Sequence, residues 1–400
     1  MAAQAKGSNP WLIDHDELPG WAADNQFIVT GHRRPGGWTA NKRTKHSGEQ
    51  DMTPYEHSTF TRCWRSMWAY WHNESINIHT HFWGAVLSVS LLILHLQHLL
   101  LPSLSSNWPH FLRYLAHAPI FYPHALYFDA AKDLNAGGGG GGSSEWLSLA
   151  HVPTENSHPP DARDIAGFAS FFLGAVICLG FSATFHCCSC HSKRIAASFN
   201  KVLGTRDVAR YHGLIGIVFM IVGSFLPALH YGFYCHPQLQ MHYTTMIVGL
   251  GGLAMYAVIN PIYATPAYRP MRTAVFISLG LSAVFPVVHA CAMYGYGTVS
   301  RIMGLSYVIA SGAMYIVGAC MYAARVPERF APGRFDLLGA SHQLFHVFIL
   351  FAAFAHYIAL RRSYAFWHSV EHVASAVVGG DGAGWGRESV CLLLEAHRQG

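Results

Sequence analysis

The sequence predicts an all-α fold, a polytopic membrane protein built as a seven-transmembrane-helix bundle. Composition is the first observation: of 400 residues, 52% are hydrophobic and only 12% charged, with a net charge of +5. That is too apolar for a soluble chain. The second is a series of apolar windows, each close to the roughly 20 residues that carry a helix across about 30 Å of hydrocarbon. Seven such windows fall near 80–101, 165–186, 212–232, 243–263, 273–294, 302–323 and 342–360. The third is the alternation of basic residues between the connections, which sets orientation.

Taken in order, residues 1–73 are polar, with "GHRRPGG" and "NKRTKHSGEQD", and are expected to form a cytosolic N-terminal arm. No charged-then-apolar leader opens the chain. Residues 74–365 make the membrane domain, and 366–400 an extracytosolic tail. Between the first and second spans, about residues 102–164, lies "NAGGGGGGSSEW", where a glycine run cannot offset its ordering entropy, so a disordered insert is expected. Arg62 and Arg65 flank the first span; Lys193, Arg194, Lys201, Arg206 and Arg210 follow the second; the connection "YGFYCHPQLQMHY" after the third has no Lys or Arg. Arg269 and Arg272 follow the fourth, Arg325, Arg329 and Arg334 the sixth, and Arg301 alone the fifth. The basic residues therefore belong to cytosolic loops rather than to a nucleic-acid surface. The nine cysteines do not read as the framework of a disulfide-built ectodomain.

This orientation brings chemistry to one depth. The second span ends at "SATFH", placing Ser182 and His186 one turn apart, and the seventh begins with "SHQLFH", placing His342 and His346 on one helix face. "NESINIHTH" sets Glu74, Asn77 and His81 at the inner mouth of the first span. Ionisable groups at this depth are costly unless paired, wetted or metal-bound. Three histidines with an open position suit a zinc ion of the catalytic type. A lone histidine, such as His95, His98, His230 or His289, reads instead as interhelical glue. Cys187, Cys188 and Cys190 form a rival soft-ligand cluster, although juxtamembrane thiols need no metal.

The segments "GHRRP", "NESINIHTH", "FSATFHCCSCHS", "VGSFLPALHYGFYC" and "MYAARVPERFAPGRFDLLGASHQLFHVF", in this order, resemble the progestin and adipoQ receptor family, which includes adiponectin receptors and hemolysin III-related proteins; the adiponectin-receptor branch is the nearest in pattern. The resemblance implies an intracellular N-terminus and one zinc ion held by His186, His342 and His346, with Ser182 beside it. It implies hormone or ligand sensing, ceramidase-type hydrolysis of lipid amides, and lipid or zinc homeostasis. The partners it implies are a ceramide-like membrane lipid or the free fatty acid released from it, and an extracellular protein or small ligand. One departure stands out: "FNKVLGTRDVARYHGL" is longer than the family pattern, and the expected aspartate is missing from its place. Asp207 is the nearest substitute, and residues 203–210 read either as a true variation or as a gene-model artefact.

Two functions of different class follow. One is a zinc-dependent lipid amide hydrolase, with Ser182 orienting the substrate and Asp207 taking a proton. The other is a non-enzymatic ligand receptor whose zinc is structural. An ion transporter or pore is disfavoured, because neither an inverted repeat nor broken helices are legible in the spans.

Overall fold

The computed structural model describes residues 9–36, 56–100, 162–193, 195, 211–264, 266–377 and 391. Both the glycine-rich insert and Asp207 lie outside them. Two short strands, β1 (Leu12–Ile13) and β2 (His32–Arg33), pair antiparallel in the N-terminal segment. A ten-residue helix, α1 (Phe60–Ala69), starts where the Thr59 hydroxyl accepts from the Arg62 amide at 3.3 Å.

Among the described residues, seven helical spans follow, long and apolar enough to cross a membrane. The first is α2 (Ser75–Leu100), the second α3 (Ala162–Cys188), the third α4 (Tyr211–Gly232) and the fourth α5 (Pro237–Ile259), which opens on a proline that donates no bond at a helix start. The fifth is split into α6 (Arg269–Leu281) and α7 (Val284–Tyr294). The break has a local cause: Pro286 removes the amide that would bond Ser282 and crowds its carbonyl. After α8 (Tyr296–Met303), Gly304 turns the chain at φ +59°, lying so close to Ala359 that a Cβ would sit 3.1 Å from its Cα. The sixth span is α9 (Leu305–Ala324), and the seventh α10 (Ser341–Val377), which runs past the expected end at 365.

Close backbone approach fixes α3 against α4. A Cβ built on Gly174, Gly216 or Gly223 would lie 2.5–2.7 Å from backbone atoms of the other helix, as small residues permit where lipid gives no hydrophobic drive between helices. Aromatic residues fill the core beside this seam, Phe168, Phe171, Phe172, Tyr231 and Phe233 being buried.

The N-terminal segment packs over the mouth of the bundle instead of standing apart from it. Asp336, in the connection before α10, accepts from the Val29 amide (3.0 Å), the Thr30 amide (2.7 Å) and the Thr30 hydroxyl (2.8 Å). Glu328, fully buried, accepts from Asn25 Nδ2 (3.1 Å) and from the Ser341 amide (2.7 Å) and hydroxyl. It therefore holds the strap and caps the first turn of α10 with negative charge. These contacts position the helix that carries His342 and His346.

Candidate functional site

His186 is carried on the last turn of α3, and His342 and His346 on the first turns of α10. Helices running in opposite directions thus bring the three rings together at one level. Ring centroids lie 4.8 Å (His186–His342), 5.0 Å (His186–His346) and 4.7 Å (His342–His346) apart. One ring nitrogen from each falls within 4.8 Å of the others.

Neighbouring acceptors fix two of the tautomers. The His186 Nδ1–H donates to Glu74 Oε2 at 2.7 Å, and the His346 Nδ1–H to the Asn77 carbonyl at 3.2 Å. Each Nε2 is left with its lone pair for the shared centre, the arrangement in which a carboxylate or carbonyl orients a metal-binding imidazole. Asn77 Nδ2 donates to the same Glu74 oxygen at 2.7 Å, so the carboxylate is itself held. The donor set of neutral imidazoles with an outer carboxylate fits zinc. His81 stacks on His346 at 3.5 Å and 3°, buried. Ser182 is buried one turn deeper on α3.

The cluster forms one end of a cavity of about 900 Å³. Ser182 and His81 line it beside the histidines, and Phe276, Val287, Leu305 and Ile349 continue it into the bundle as an apolar channel. Pockets of this size that are mostly apolar with a few convergent polar groups suit small organic ligands.

Of the residues singled out from sequence, Glu74, Asn77, His81, Ser182, His186, His342 and His346 all meet here, and Asp207 lies outside the described residues. The histidines read as interhelical glue bear that out where described. His289 Nδ1 meets the Tyr243 hydroxyl at 2.8 Å, His230 Nδ1 meets Gln240 at 3.2 Å, and His95 Nε2 meets the Tyr357 hydroxyl at 3.3 Å. Sequence reasoning missed Arg33. Its buried guanidinium donates to Ser66 Oγ (3.0 Å) and to the carbonyls of Cys187 (2.8 Å) and His186 (2.5 Å), closing the end of α3 just where His186 sits. The signal was present in "GHRRP", read as part of a polar arm and as a family segment but given no role at the site. Cys63 Sγ lies 3.7 Å from Cys190 Sγ, both buried and unbridged, while Cys235 and Cys391 form a disulfide at the other end of the bundle.

Fold and site together define a class: a seven-span integral membrane protein with a three-histidine cluster that opens on an apolar cavity. The Haemolysin-III related family model matches residues 69–357, and the chain belongs to that family. It is 32% identical over 348 residues to the adiponectin receptor protein of Drosophila melanogaster, and 28% over 349 residues to progestin and adipoQ receptor-like protein 1 of Caenorhabditis elegans. Those matches cover 87% of this chain but only 58% and 60% of the relatives. Similarity to the rice heptahelical transmembrane protein ADIPOR1 (Oryza sativa subsp. japonica) is 32% over 353 residues, covering 87% of this chain and 83% of that protein.

Proposed function

We propose that this protein is a zinc-binding, adiponectin-receptor-like membrane protein that hydrolyses a ceramide-like lipid amide on the histidine side of the bilayer. The observation that carries this reading is the opening of the three-histidine cluster onto an apolar cavity of about 900 Å³, which gives a polar head site and a channel for a chain. His186, His342 and His346 would hold the ion. When bound, zinc polarises a carbonyl and acidifies water. Glu74 keeps the His186 ring in register, Asn77 keeps that of His346, and the Ser182 hydroxyl is placed to donate to the amide oxygen from one turn deeper. In the overall reaction the amide C–N bond breaks, water supplies hydroxyl to the acyl carbon, and the amine leaves with a proton. The products are a free fatty acid and a long-chain amine.

The N-terminus and the histidine cluster are assigned to the cytosolic face. Two observations support this: the arginines and lysines gather at that end of the spans, and the disulfide Cys235–Cys391 lies at the opposite end from the free thiols of Cys63, Cys187, Cys188 and Cys190.

The test pairs metal analysis of purified protein with ceramide hydrolysis by wild type, His342→Ala and Ser182→Ala. Zinc bound in wild type and lost in His342→Ala, with chelator-sensitive turnover that falls partially in Ser182→Ala, is expected. Turnover that survives zinc removal overturns the mechanism. Zinc-replete protein without turnover moves the assignment to a ligand receptor with structural zinc.

A further inference from the structure

Around α1 the side chains divide into three sectors. Cys63, Ser66 and Met67 are buried against the bundle. Phe60, Trp64 and Trp68, four residues apart, are 51, 49 and 50% exposed on a second face. Arg65 and Arg62 follow at 100° per residue on the third, Arg65 exposed and Arg62 donating one N–H to the Glu56 carbonyl at 2.8 Å. The aromatic face does not end with the helix. Trp71 is 64% and Trp83 55% exposed, and Trp68 lies 6.1 Å from Phe82 and 6.3 Å from Trp83 on the first span.

Only residues 70–74 separate α1 from the start of that span at Ser75, so the helix is tied to the level of the membrane–water boundary. Residues 57–73 contain no carboxylate, and the exposed Lys193 stands at the nearby end of α3. Indole and phenyl rings favour the headgroup level, and lysine and arginine beside them favour anionic lipid.

We propose that α1 is a docking surface for the anionic leaflet on the histidine side, its aromatic face sunk at the headgroup boundary and Arg62, Arg65 and Lys193 paired with lipid phosphates and carboxylates. The docked helix is connected to the site: Ser66, on its buried face, accepts from Arg33, which also donates to the His186 carbonyl. Leaflet contact on one side of α1 therefore steadies the end of α3 on the other.

The experiment uses full-length protein in nanodiscs containing brominated phosphatidylcholine or brominated phosphatidylserine at equal mole fraction. The emission of Trp64 and Trp68 is isolated as the difference between wild type and the double variant Trp64→Phe/Trp68→Phe. Quenching by both lipids is expected, steeper with the serine lipid, since each arginine is worth about fivefold in local occupancy. Arg62→Gln/Arg65→Gln should abolish the excess and keep the quenching by phosphatidylcholine. Equal quenching by the two lipids in wild type overturns the headgroup preference. No quenching by either means that a protein surface, a second copy or a cytosolic partner, covers the face, and overturns the docking.

Discussion

Arg33→Met tests how the end of α3 is held. In the wild type Arg33, only 4% exposed, bridges the Ser66 hydroxyl and the carbonyls of His186 and Cys187 through its guanidinium. Methionine fills much of the same volume and donates nothing. Charge-assisted hydrogen bonds contribute about 1.5–3 kcal/mol each, and without them the His186 carbonyl keeps only the Ser189 hydroxyl at 3.2 Å and the Cys187 carbonyl only the Cys190 thiol at 3.8 Å. Against this stands the relief of no longer burying a guanidinium, worth several kcal/mol of desolvation. The net expectation is a loss of about 3 kcal/mol, with about tenfold weaker zinc retention because the backbone that aims His186 is loosened. Thermal unfolding in detergent and metal titration read the two effects separately. Arg33→Lys should fall between, since a compact ammonium cannot reproduce the planar fork. Wild-type melting and wild-type metal affinity in Arg33→Met would refute the reasoning.

Three further outcomes are expected. Burial and the nearby Arg33 charge push the His57 imidazole down to about 4, with its Nδ1–H on the Arg34 carbonyl at 2.8 Å and Nε2 accepting from the Tyr70 hydroxyl. The folded protein then keeps His57 neutral while the unfolded chain takes up a proton near pH 6.5. Its contribution is complete above about pH 6.5 and is lost as pH falls toward 4, by about 3 kcal/mol; melting across that range should lose this slope in His57→Gln. Gly216→Ala places a methyl 2.6 Å from the Cys178 Cα, so α3 and α4 must part, at about 1–3 kcal/mol; an unchanged melting temperature would contradict the close seam. In sealed vesicles with the disulfide end outward, and with the half-buried free Cys291 replaced by serine, a membrane-impermeant maleimide should label the protein only after reduction, and Cys235→Ser/Cys391→Ser should abolish the gained label. Labelling of Cys63 or Cys190 instead would reverse the assigned orientation.

The spans were legible because each is a contiguous apolar run whose length is set by the bilayer. The histidine cluster was legible because His342 and His346 share a helix face and His186 ends a helix running the other way. Arg33, Glu328 and Asp336 were not. Their partners lie 153 (Arg33 to His186), 303 (Glu328 to Asn25) and 306–307 (Asp336 to Thr30 and Val29) positions away, and a pairing of that kind leaves no periodic trace in the sequence. A basic "HRR" reads as solvated surface until its burial is known. The split of the fifth span had a visible cause in Pro286, yet hydropathy averages across it.

The strap from Asn25 to Thr30 also sets an order of events at the ribosome. These residues are synthesised before their anchors Glu328 and Asp336, which emerge about 300 positions later, on the order of half a minute at usual elongation rates. During that interval the N-terminal segment waits without its partners, and α10, bearing two of the three histidines, does not yet exist. The three histidines can therefore meet only after both ends of the membrane domain have been made. On the proposed reading, metal capture waits for a seventh helix already delivered to the bilayer.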